Sequence, residues 1–192
     1  MKKHIIDLLF ATGLVLSILL HSFSAFAEDC ERIQHSVLRL HIPANSDSDA
    51  DQQTKLALRD YILNTYGAQL SADGDIAVAK EHISAMLPQI ENDCNRFLSE
   101  RGADYSAQAT LVNMYFTTRQ YENVTLPAGY YDALRITLGS GEGQNWWCIM
   151  FPPLCIPVAA EPLCDEELSA FEGAEKIEVR FAVYEWLKGM LD

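Results

Sequence analysis

The sequence predicts a single α+β domain behind an apolar N-terminal segment: a mixed or antiparallel sheet, two helices inserted after the first strand, and a C-terminal helix. Three observations carry this expectation. Strict apolar alternation over 36–42 gives way to apolar residues at steps of three and four as far as residue 97. Runs rich in β-branched and aromatic residues, parted by Gly- and Pro-containing turns, then fill 107–151. Helical spacing returns at the end of the chain, at Tyr184, Trp186 and Leu187.

Taken in order, Lys2 and Lys3 precede an apolar run from Leu8 to Leu20, and Ala25-Phe26-Ala27 supplies the small-x-small pattern of a signal-peptidase site. Residues 1–27 are therefore expected to be an export signal and 28–192 one α+β domain. The run is short against the roughly 20 residues of a bilayer span, which disfavours a retained anchor. Cys30 follows Glu28-Asp29 and does not fit lipid attachment.

Leu38, Leu40 and Ile42 alternate with Val37, Arg39 and His41, predicting a strand with one buried and one mixed face, ended by Pro43. Ser48 with Asp51 three residues on resembles a capping box, opening a helix expected to reach Tyr66 and stop at Gly67. Ile83, Leu87, Ile90, Cys94 and Phe97 form one helical stripe, with Gly102 as a stop. Pro88 inside it costs about 3 kcal/mol and predicts a kink or break near Leu87. Strands are expected over 107–116, 131–138 and 145–151, separated by Leu126-Pro127-Ala128-Gly129 and by the glycines at 139, 141 and 143. Beyond Pro152-Pro153 follow a short helix near 165–171, a strand through Ile177, Val179 and Phe181, and the closing helix.

The formal net charge is −13, which repels phosphate backbones and anionic headgroups. Neither nucleic acid nor a small-molecule substrate is expected, and a protein partner is. Five cysteines, an odd number in an exported chain, do not make a disulfide scaffold.

Several constellations carry a chemical alternative. Asp47, Asp49 and Asp51 open like a calcium loop, but Gln52 stands where the turn needs glycine and Leu58 where the closing glutamate belongs, so a helix N-terminus is expected and no metal. Cys148 and Cys155 enclose a loop stiffened by two prolines and are candidates for a disulfide. Alternatively, Cys148 is a nucleophile assisted by His35, His41 or His82, or His and Asp residues hold a metal, which would make the chain an exported cell-wall hydrolase. Cys94 on its apolar stripe reads as a buried hydrophobe. The spaced glycines 139–143 are followed by a strand, which suits a hairpin connection better than a phosphate loop. Arg39 and His41, leading into Asn45, Ser46 and Asp47, read either as an exposed sheet face before a capped helix or as a recognition surface. Alternation sends Trp146 and Trp147 to opposite faces, so that one of them can anchor a partner.

Two stretches together resemble a known family: Val37-Leu38-Arg39-Leu40-His41-Ile42-Pro43-Ala44-Asn45-Ser46-Asp47-Ser48, continuing through Asp51-Gln52 and Lys55 to Arg59-Asp60, and Asn145-Trp146-Trp147-Cys148-Ile149-Met150-Phe151-Pro152-Pro153-Leu154-Cys155. They look like stage II sporulation protein R. Leu126-Pro127-Ala128-Gly129, Tyr131-Asp132-Ala133-Leu134-Arg135 and, near the end, Glu178-Val179-Arg180-Phe181 with Glu185-Trp186 are similar in order and spacing. The resemblance implies a signalling protein, not an enzyme and without cofactor, secreted from the forespore into the space between forespore and mother-cell membranes. Its implied partner is a membrane-embedded aspartic protease that processes pro-sigma-E. The candidate partner-binding residues are Arg39, His41, Asn45, Ser46, Asp47, Trp146 and Trp147.

Overall fold

A computed structural model describes residues 2–71, 75–121 and 124–151. The expected elements near 165–171, 177–181 and 184–187, together with Cys155 and Cys164, lie outside the described residues. Within them the order is α1 (Lys2–Ser36), β1 (Leu38–Pro43), α2 (Asp49–Ser71), α3 (Ile76–Glu100), β2 (Ala107–Phe116), β3 (Arg119–Tyr121), β4 (Val124–Leu126), β5 (Gly129–Leu138) and β6 (Asn145–Phe151). The expected α+β class and the two helices after the first strand are both present.

The main sheet is mixed, with strand order β2-β5-β1-β6. β1 runs parallel to β5, pairing Leu38 with Asp132 and His41 with Arg135, and antiparallel to β6, pairing His41 with Trp147. A parallel neighbour needs a long crossover, and α2 and α3 belong to that connection. They cover one face of the sheet, where Leu38, Leu40 and Ile42 meet Leu58, Ile62, Ile83, Ile90, Cys94, Leu134 and Ile136. On the opposite face Val37, Phe116, Tyr131, Ala133 and Ile149 form a second cluster, against which Ile33 of α1 packs.

Four local expectations are corrected. β1 has no mixed face: all six of its residues are buried, and Pro43 is its last residue. That follows from its place between two other strands with cover on both faces. Helix α2 passes Gly67 and ends at Ser71. A helical glycine costs only about 1 kcal/mol, less than the packing of Leu63 and Tyr66 supplies. Helix α3 begins earlier than the stripe suggests, capped by Asp75, whose carboxylate accepts from the Ala77 amide at 2.7 Å, and it runs unbroken past Pro88. Ser84 and Pro88 both lie on the exposed side, so water can serve the carbonyl that the proline leaves without a donor. Finally, the turn-rich stretch before β5 contains a short hairpin, β3 with β4.

Helix α1 has exposed Ile5, Leu9, Leu16 and Leu20, whereas Phe26, Cys30 and Gln34 are buried. The Gln34 amide donates to the Ala128 carbonyl at 3.1 Å, fixing the end of α1 to the start of β5.

Candidate functional site

The motif residues divide between two structures. The first begins where β1 ends and the chain must turn into α2. Asn45, Ser46 and Asp47 bind the loop before β6 and the first turn of α2 at once. Ser140 donates its amide to Asn45 Oδ1 at 3.1 Å and its hydroxyl to the Asn45 carbonyl at 2.7 Å. The Gln144 amide donates to Asp47 Oδ1 at 2.7 Å, and the Gly143 amide to the Ala44 carbonyl at 2.9 Å.

Inside this knot Asp51 is the common acceptor. It receives Ser46 Oγ at 2.5 Å, Asn45 Nδ2 at 3.0 Å and Tyr105 Oη at 2.8 Å. Its own amide donates to Ser48 Oγ at 3.2 Å, completing the cap. The Ser46 hydrogen bond foremost holds the Asp51 carboxyl below its usual range, and the same carboxylate helps burial to raise the Tyr105 phenol. Lys55 is buried and donates to Gln52 Oε1 at 2.6 Å and to the Gln144 carbonyl at 2.9 Å. Burial lowers its affinity for the proton, opposed by the charge of Asp47. The glycines follow from the fit: a Cβ on Gly143 would stand 2.3 Å from the Ser46 carbonyl oxygen, and one on Gly139 would meet the Asn45 side chain.

Asp47, Asp49 and Asp51 accordingly do not converge on a cation. Asp51 is turned inward, Asp47 holds a backbone amide, and no cluster of three or more metal-capable side chains occurs among the described residues. The glycine segment connects β5 to β6 but is not the expected hairpin: β1 lies between the two strands and pairs with both, so the connection passes over the end of β1.

The second structure lies on the face of the sheet opposite α2 and α3. Arg39 is fully buried, its guanidinium carbon 3.9 Å from the centre of the Phe116 ring and 5.1 Å from that of Tyr131. His41, 4 % exposed, stacks on Trp147 with ring centres 4.2 Å apart and planes 9° from parallel. Burial lowers the His41 pKa from 6.5 to about 4, only partly offset by the Asn145 side chain and reinforced by the charges of Arg135 and Arg39. A cation over an aromatic face is stabilised by the ring quadrupole, and the effect grows as water is removed. Phe116 and Tyr131 thus solvate a charge that the sheet has taken out of water.

Trp146 and Trp147 go to opposite faces, as alternation requires. Trp146 packs against the α2–α3 side, with the Arg59 guanidinium carbon 4.2 Å from its ring centre. Both indoles are partly exposed. Cys94 is buried with its thiol pushed up to about 12, consistent with an inert hydrophobe. Cys148 is buried within the α2–α3 side of the core.

Residues 34–161 match the family described as stage II sporulation protein R, which is two thirds of the chain. The chain belongs to the stage II sporulation protein R family. It is 40 % identical to Stage II sporulation protein R of Bacillus subtilis (strain 168) over 123 residues, which are 64 % of this chain and 55 % of the relative. The alignment thus spans little more than half the length of that relative. No solved structure matches.

The family's matched region contains both structures. Sequence reasoning singled out Arg39, His41, Asn45, Ser46, Asp47, Trp146 and Trp147 but missed Asp51 as the central acceptor, Tyr105, Ser140 and Gln144 in the knot, and Phe116 and Tyr131 around Arg39. The glycines alternating before a strand, at 139, 141 and 143, were the available signal.

Proposed function

We propose that this protein is an exported sporulation signal that activates a membrane-embedded aspartic protease, so that the protease processes pro-sigma-E in the mother cell. Membership of the stage II sporulation protein R family is the observation that carries the reading. The apolar helix at the N-terminus, long enough by composition to enter a membrane, supports export. On this reading residues 1–27 direct the chain out of the forespore and 28–192 act between the two membranes.

Activation of this kind is binding: the signal must bind the active arrangement of the protease more tightly than the idle one. Asn45, Ser46, Asp47, Arg39 and His41 then act mainly by fixing the fold, because their polar atoms or rings are engaged within the domain. The partly exposed Trp146 and Trp147 are the candidate residues best placed to touch the protease.

A disulfide at Cys148 would remove the thiolate that the hydrolase reading needs. Cys155 is the proposed partner, closing the loop that holds both prolines. Cys148→Ser, Cys155→Ser and the double variant should lose equal stability, about 2 to 3 kcal/mol in a denaturant titration. A signalling loss confined to Cys148→Ser would return the nucleophile.

The decisive experiment is co-expression of the exported chain with the protease and pro-sigma-E in a host that does not sporulate. Cleavage of the precursor should depend on the chain. Equal cleavage with and without it would sink the proposal.

A further inference from the structure

Helix α1 runs without a break through Ala25-Phe26-Ala27, the small-x-small pattern that the sequence offers to a signal peptidase. Its exposure changes there. Ile5, Leu9, Leu16 and Leu20 upstream are each more than half exposed, whereas Phe26 is 8 %, Cys30 1 % and Gln34 9 % exposed. Steps of four put these last three residues on one face of the helix. Ile33 beside them packs against the cluster of Val37, Phe116 and Tyr131 on the sheet. The Gln34 amide donates to the Ala128 carbonyl at 3.1 Å, and the fit is close: a Cβ on Gly129 would stand 2.3 Å from Gln34 Nε2.

A protease grips its substrate as an extended strand, through main-chain hydrogen bonds on either side of the scissile bond. In a helix those backbone groups are already bonded to one another. Cutting after Ala27 therefore requires residues 25–27 to unwind and Phe26 to leave its buried position. Gln34 lies only about 10 Å beyond Ala27 along the helix axis, so the docked domain also stands close to the bond.

We propose that docking of α1 against β5 protects the Ala27–Glu28 bond from signal peptidase, so that cutting and folding compete for one segment. The peptidase hydrolyses this bond with one water, leaving a carboxylate on Ala27 and an amino group on Glu28. It does so only in the undocked chain. Ala128 lies 94 residues beyond Gln34, so the seat for α1 does not exist until most of the domain has crossed the membrane. Cutting has the advantage until then. A chain that folds uncut keeps its apolar helix and stays attached to the membrane. One cut early is released, with Glu28 and Asp29 at the positive end of the shortened helix. The inference rests on the export part of the proposed function, the reading of residues 1–27 as a signal.

The test uses the full chain made in a host depleted of signal peptidase, folded in liposomes and then exposed to the purified enzyme. The readout is the appearance of a new N-terminus at Glu28. The rate follows the population of the open form, so Gln34→Ala, which removes the bond to Ala128, should speed cutting about fivefold or more. Ile33→Ala, which loosens the same contact and leaves that bond in place, should act in the same direction. Asn95→Ala removes the side-chain hydrogen bonds to the Ala107 amide and carbonyl on the other face of the sheet and should leave the rate unchanged. Circular dichroism should show all three variants folded. Equal rates for the parent chain, Gln34→Ala and Ile33→Ala would overturn the proposal. So would an equal rise with Asn95→Ala, since opening of the whole domain would then govern cutting. If even chains translocating in the presence of the enzyme are not cut, residues 25–27 are no cleavage site, and the signal reading falls together with the inference.

Discussion

The knot around Asp51 and the buried face around Arg39 are built from one unbroken sequence motif, yet they solve opposite problems. At the knot, polar groups are kept because each meets a hydrogen-bonding partner across the α2 entry, and much of the assembly remains near water. On the sheet face, charge and imidazole are placed among aromatic rings with little access to solvent. The contrast teaches that the run from Arg39 to Asp51 is not one surface. Its first part sets the interior, and its second part holds a distant loop in position.

The two regions should fail differently. Gly143→Ala is expected to have the largest effect, because the added carbon meets backbone that cannot turn aside. A loss of about 3 to 5 kcal/mol in urea unfolding is expected, or no folded protein. A loss below about 1 kcal/mol would show that the loop at 139–144 can leave the knot without harm.

His41 gives the buried face a pH signature. Its folded pKa is depressed from 6.5 to about 4, so between those values the unfolded chain binds the additional proton. Stability from this group is complete above 6.5, falls as pH drops through the window, and falls no further below about 4. The fall amounts to at most about 3 kcal/mol. His41→Phe should flatten the stability-against-pH curve there, whereas an unchanged slope would remove His41 from the account.

Asp51→Asn probes the knot at lower cost. The amide retains one acceptor oxygen but cannot receive Ser46, Asn45 and Tyr105 together, so about 1.5 to 3 kcal/mol should be lost at neutral pH. Asp51 has a depressed pKa, so its contribution is present above the unfolded carboxylate range and is lost as pH falls below it. That acid limb lies below the His41 window, which allows the two regions to be separated in one titration. The smallest effect is expected at the partly exposed ion pair of Lys80 with Asp132, 2.9 Å long, where Lys80→Met should cost under about 1 kcal/mol.

Much of the fold was legible because periodicity reports which side chains meet a core. The positions of β1, β2, β5 and β6, the α2 cap and the burial of Cys94 all follow from local pattern. Helix boundaries were less legible, since Gly67 and Pro88 carry penalties that neighbouring packing or exposure offsets. The site was the hardest part. Asn45 and Ser140 are brought together by the pairing of β1 with β5 and β6, and no local pattern encodes that encounter. Arg39 and His41 were read as lining a mixed face because an arginine usually seeks water; the aromatic rings that replace water come from β2, β5 and β6.

The central position of β1 also sets an order of events. Its parallel neighbour β5 and its antiparallel neighbour β6 both come much later in the chain, after two helices and the outer strand β2. Contacts so far apart in sequence form slowly, because the loop between them must be closed before either strand gains a partner. During N-to-C passage across a membrane, β1 would emerge well before either of its neighbours. If the chain is exported as proposed, the sheet closes only after translocation has carried β6 through, and assembly is timed by the end of transport.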